Sequence, residues 1–155
     1  MTASPNPAIP AQNAREDLQR RCDAIEESYE FMLAYAAQGL SAEGTQSGGQ
    51  AREFLKRAAA ALCGLADVLA TLISQERLEP LERYRAFLAV LDRDARDALA
   101  AVELVLAQPA VSSQLVDNLN ASIHVRALLT DLFLIDEVLK GQPQAVKPPK
   151  VEAPE

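Results

Sequence analysis

Residues 110–141, AVSSQLVDNLNASIHVRALLTDLFLIDEVLKG, constrain this chain more than any other stretch. From Leu115 to Leu139 they read as one long helix. Leu128, Leu132, Ile135 and Leu139 form an apolar stripe at spacings of four, three and four, and Leu129 and Phe133 form a second stripe beside it. Leu134 and Val138 widen the coverage further. A surface helix normally carries one apolar arc of about 100° or somewhat more. A helix that is apolar over more of its circumference must be covered by several neighbours or by another protein. Either Leu128–Leu132–Ile135 or Leu129–Phe133 is therefore expected to form a self-association or partner surface. Leu128, Leu129, Leu132, Phe133, Ile135 and Leu139 are the candidate interface.

The rest of the chain supplies partners for that helix. Leu18, Cys22, Ile25, Tyr29, Met32 and Ala36 recur at alternating spacings of four and three, the seam of a bundle helix, expected from Asn13 to Leu40. Its other side is charged, with Glu16–Arg20 and Asp17–Arg21 at helical i,i+4 spacing. The Gly- and Ser-containing stretch SAEGTQSGGQ, residues 41–50, reads as a flexible connection. A second helix is expected from Gln50 to Gln75, with Leu55, Ala58, Leu62, Leu65, Leu69 and Leu72 inward. Pro80 suits the first position of a third helix, whose seam is Tyr84, Leu88, Leu91, Ala95, Ala98, Val102 and Val105. Gln108-Pro109 ends it, Ser112 or Ser113 can cap the fourth, and Gly141 and Pro143 close that one.

The expected fold is all-α: an antiparallel, up-down-up-down four-helix bundle over residues 12–141. A disordered lead-in, 1–11, precedes it, and a Pro-rich disordered tail, 142–155, follows. The absence of Trp, an aromatic content of only 5% and the heavy use of Ala and Leu suit close-packed helices better than a sheet.

Charge and motif content narrow the function by exclusion. A net charge of −7 repels phosphate backbones and anionic lipid surfaces, so neither nucleic acid nor membrane surface is an expected partner. No run reaches the roughly 18 uninterrupted apolar residues of a transmembrane helix. The first residues lack the basic and apolar regions of a signal peptide, so a cytoplasmic location is expected. Cys22 and Cys63 both lie in apolar helical stripes, where buried, unreactive thiols are found. Antiparallel pairing of the first two helices leaves them about 9 Å apart in helix rise, too far for a disulfide.

His124 is the only histidine. A histidine on a helical bundle invites comparison with phosphotransfer domains. Their motif places Lys and Gly shortly after it, whereas Val125, Arg126, Ala127 and Leu128 follow here, which favours a structural or surface histidine. Asp23, Glu26, Glu27 and Glu30 share the helical spacing of di-iron carboxylates, but those sites need two Glu-x-x-His pairs and Ala121 stands three residues before His124. Ser47-Gly48-Gly49 ahead of Arg52, Lys56 and Arg57 could hold an anion at a helix N-terminus, without a Walker pattern. No catalytic arrangement can be assembled, and neither a metal nor a cofactor is expected.

Thr2–Pro5, TASP, is a string also found in a flagellin-export chaperone family, although the helix that follows it differs from that family's. The general build, small, acidic and all-helical, is similar to secretion chaperones and adaptors. The leading expectation is a protein-interaction module, monomeric or homodimeric, that offers an apolar helix face to a partner. The alternatives are a coat protein of a hydrophobic body such as a storage granule, and a sensor for a small apolar ligand. An enzyme comes last.

Overall fold

The computed structural model describes residues 11–40 and 46–142. The predicted lead-in, the tail beyond Gln142 and the first half of the predicted connection, residues 41–45, lie outside the described residues. The fold is all-α. Among the described residues there are six helical segments and no strand: α1 (Ala11–Ala37), α2 (Gln46–Leu62), α3 (Leu65–Gln75), α4 (Leu81–Leu106), α5 (Ser113–Ala121) and α6 (Ile123–Lys140).

Two of the four expected rods are broken, and each break has a local cause. Gly64 adopts φ +81°, the left-handed conformation that ends helices and that a Cβ disfavours. The chain resumes at once, with Val68 N–H donating to Gly64 O at 3.2 Å in the first turn of α3. The second break corrects the single helix expected from Leu115 to Leu139. Ser122 is extended (φ −61°, ψ 140°) and its hydroxyl accepts from Val125 N–H at 3.4 Å. A serine that caps a new helix competes with continuation of the old one. The ends also differ from expectation. α1 stops at Ala37, ahead of Gly39 with φ +67°; α2 begins at Gln46, inside the predicted connection; and Pro80 caps α4 rather than opening it.

Packing closes into a ring. α1 lies against α2 and α3 on one flank and α5 on the other, and α4 lies against α2, α3 and α6. Leu55, Leu65, Leu69, Leu72, Leu91, Leu128 and Leu132 are almost wholly enclosed between them. The stretch Gly49–Gln75 is long and apolar enough to cross a membrane, with mean hydropathy 1.6, and in this fold several of its leucines are core.

The α1 seam shifts partway along. Leu18, Cys22 and Ile25 are buried as expected, but Ser28 and Tyr35 enter the core while Tyr29 and Ala36 are half-buried. A strict 3.5-residue repeat drifts on a straight helix of 3.6 residues per turn, so the inward position moves by one. Both polar newcomers are satisfied: Ser28 donates to Ala24 O at 2.6 Å, and the Tyr35 hydroxyl donates to Val111 O at 2.6 Å. Ser113 extends this lock, donating to Tyr35 O at 2.8 Å and accepting from Leu40 N–H at 2.9 Å.

Three arginines tie down helix C-termini, whose last carbonyls lack intrahelical donors and carry the negative end of the helix dipole. Arg21 donates to Ala61 O and Cys63 O at 3.1 and 2.6 Å. Arg52 donates to Leu106 O and Gln108 O at 3.0 and 2.6 Å. Arg15 bridges Glu76 at 2.9 Å and Leu139 O at 3.4 Å, joining α1 to the ends of α3 and α6.

Candidate interaction surface

α6 sorts the candidate interface residues by burial. Leu128, Leu129, Leu132, Ile135 and Leu139 are all buried, whereas Phe133 is 58% exposed. Leu134, at 54%, and Val138 are exposed with it. Both stripes therefore contribute to the core, and the outward apolar residues run along the neighbouring arc of the same helix.

That arc faces a matching one on α4. Arg83, Phe87, Val90 and Asp94 are spaced four, three and four on α4, and Asp131, Leu134 and Val138 are spaced three and four on α6. Pro80, Arg83, Tyr84 and Phe87 line one wall of a groove of about 310 Å³, and Leu134, Ile135 and Val138 line the other. At one end, Gln142 Nε2 donates to the Tyr84 hydroxyl at 3.0 Å and fixes the register of the two helices.

Further along the same seam the carboxyls of Asp94 and Asp131 meet. Asp131 is 8% exposed, and its Oδ2 is buried with no hydrogen-bond partner. Burial, followed by the hydrogen bond and the repulsion from Asp94, pushes the Asp131 carboxyl up to about 7. Two carboxyls this close cannot both ionise cheaply, which favours the neutral form of Asp131. The pair was not singled out from sequence, yet a signal was present: Asp131 interrupts LLTDLF, a run otherwise apolar apart from Thr130. A second buried polar side chain, Asn120 on α5, also has no partner for its Oδ1 or Nδ2.

The other sequence candidates are dispersed. His124 is exposed on the first turn of α6. Ser47, Gly48 and Gly49 fall inside α2 rather than ahead of it. Among the described residues, no three His, Cys, Asp or Glu side chains are grouped so as to hold a metal ion. Glu26 lies at half-buried depth, and burial, then Asp23, Asp136 and Glu30, raise its carboxyl.

The two cysteines are unlike. Cys22 is buried in the α1–α6 groove beside Ile135 and Leu139, and burial, then Glu26, Asp136 and Asp23, push its thiol up to about 12. The expectation of two core thiols is corrected for Cys63, which is exposed. It closes the last turn of α2, with its N–H donating to Ala59 O at 3.0 Å, and its helical position lies outside the arc of the buried Leu55, Ala58 and Leu62. Comparison with protein-family models, curated proteins and solved structures finds no match.

Proposed function

We propose that this chain is a small acidic helical interaction module, an adaptor, export chaperone or assembly factor, that engages a protein partner through its α4–α6 face. We read the ring of α1, the α2–α3 rod, α4 and the α5–α6 rod as an up-down bundle of four rods, serving as a rigid, non-enzymatic, cytoplasmic scaffold for that face.

One observation carries this reading. Of the eight large apolar side chains left exposed among the described residues, seven belong to α4 and α6: Leu81, Val90, Leu104, Ile123, Phe133, Leu134 and Val138. Single exposed leucines are ordinary, but Leu134 and Val138 line one groove with Phe87, and a contiguous apolar patch is the pattern of an interface. These side chains are already part-covered, so enclosing each gains a fraction of the roughly 1.5–3 kcal/mol of full burial. At about 310 Å³ the groove lies at the small end of pockets that enclose a ligand, which favours a surface for a protein over a sensor cavity.

The double variant Leu134→Asp with Val138→Asp tests this. Both positions are exposed, so the protein should keep its helical circular dichroism and its melting temperature within a few degrees, yet lose its partner in pull-downs from native lysate. Retention of the same stoichiometric partner by the folded variant would sink the assignment.

A further inference from the structure

The α4–α6 face is charged asymmetrically along its length, and the asymmetry is self-complementary. On the α4 stripe that borders α6, Arg83 lies on one side of the Leu88–Ala89 midpoint and Asp94 equally far on the other. Phe87 and Val90 are likewise equidistant from that midpoint. Turning the helix end for end exchanges Arg83 with Asp94 and Phe87 with Val90. α6 runs beside it: Leu134 and Val138 line the groove with Arg83 and Phe87, while Asp131 joins Asp94 at the acidic end.

We propose that a second copy of this chain covers the face, in a two-fold dimer whose α4 helices pack antiparallel, so that Arg83 of each copy closes on the Asp94–Asp131 pair of the other. The proposal rests on the interaction-module reading above and names its partner. A two-fold contact requires one patch to complement itself. This patch does so with a central cluster of Phe87, Val90, Leu134 and Val138 and an opposite charge at each end.

The acidic end is what a missing cation would leave behind. Asp131 carries a buried oxygen with no partner, and its carboxyl holds a proton near neutrality beside Asp94. A guanidinium offers a planar fork of donors that pairs with carboxylate oxygens better than an ammonium does. The distance from Arg83 to Asp94 along α4 is about 16 Å, enough for the apolar cluster to fill the space between the two symmetry-related charge contacts. Arg83 is exposed and enters no ion pair among the described residues, so it is available to the second copy.

Sedimentation equilibrium on the full chain tests this with two charge reversals. The wild-type protein should dimerise with a dissociation constant on the order of 10 µM or tighter. Arg83→Asp alone places Asp against Asp, and Asp94→Arg alone places Arg against Arg, so each should weaken self-association at least tenfold. Mixed in equal amounts, the two variants should associate again. At one contact the introduced aspartate then meets the introduced arginine, and at the other the native Arg83 meets the native Asp94. Circular dichroism melts establish that both variants are folded, and Arg83→Gln, which removes the charge without reversing it, should weaken the dimer by a smaller factor. A wild-type monomer at about 100 µM, or single variants that stay monomeric on mixing, would overturn the dimer. If the Leu134/Val138 variant still lost a different protein in the pull-down, the interaction-module reading would stand without it.

Discussion

Replacing Asp131 with asparagine removes the buried charge while keeping the shape of the side chain, and the consequence can be worked out in advance. The carboxyl titrates at about 7 in the folded chain against an ordinary value of 3.8. The folded state therefore holds a proton that the unfolded chain releases between those values. The sign follows: stability from this group is fully present below pH 3.8 and is lost as pH rises towards 7 and beyond. At about 1.4 kcal/mol for each pH unit crossed, the window carries up to about 4 kcal/mol. Relaxation around the pair and coupling to Asp94 reduce that ceiling, so a measured change of about 2–4 kcal/mol is expected. Asp131→Asn has no proton to lose, and its amide can donate to Asp94. The variant should match the wild type near pH 4 and exceed it by about 2–4 kcal/mol at pH 8. Urea denaturation at low micromolar protein, followed by circular dichroism at 222 nm from pH 4 to 8, reads the difference directly. Other titrating groups, Glu26 among them, contribute equally to both proteins and cancel. A difference between variant and wild type that does not change with pH would refute the reasoning. It would mean that Asp131 is either well solvated or already paired with a cation.

Two further outcomes follow from the core. Tyr35→Phe deletes the 2.6 Å hydrogen bond to Val111 O at a fully buried site and should lower unfolding free energy by about 1 kcal/mol or somewhat more; an unchanged urea midpoint would show that the lock between α1 and the α4–α5 connection contributes nothing. Cys63 is exposed while Cys22 is buried, with its thiol pushed up to about 12, so a thiol reagent at pH 8 should label one cysteine per chain quickly and the second only on unfolding. Mass spectrometry of the labelled peptides decides it, and fast labelling of Cys22 would be inconsistent with the packing of α1 on α6.

The helical periodicity was legible because it comes from local geometry: leucines at spacings of three and four define an inward arc whatever lies opposite. Leu55, Leu65, Leu69, Leu72 and Leu132 accordingly sit in the core. The breaks were not legible in the same way. Gly64 stands alone inside an apolar run that a helix could tolerate, and its left-handed turn depends on where the α2 C-terminus meets Arg21. Ser122 can sit in a helix or cap one, and only tertiary packing selects the cap. Which arc of α6 faced outward was also beyond periodicity, because both stripes are compatible with burial and the choice depends on where α4, α5 and α1 sit around the helix. The structure places Leu129 inward and leaves Phe133, Leu134 and Val138 outward.

The same reasoning explains why Asp131 matters more than the stripes themselves. An apolar arc can be covered by almost any apolar surface, so it selects a partner weakly. A buried carboxyl pair with an unsatisfied oxygen accepts only a cation delivered at one depth and one register along the groove, and like charge placed there is rejected. In the proposed dimer Phe87, Val90, Leu134 and Val138 would supply the area for association, and Asp94 with Asp131 would determine what can be seated against them. Arg83, set at the opposite end of the same arc, is the cation that a second copy would bring to that register.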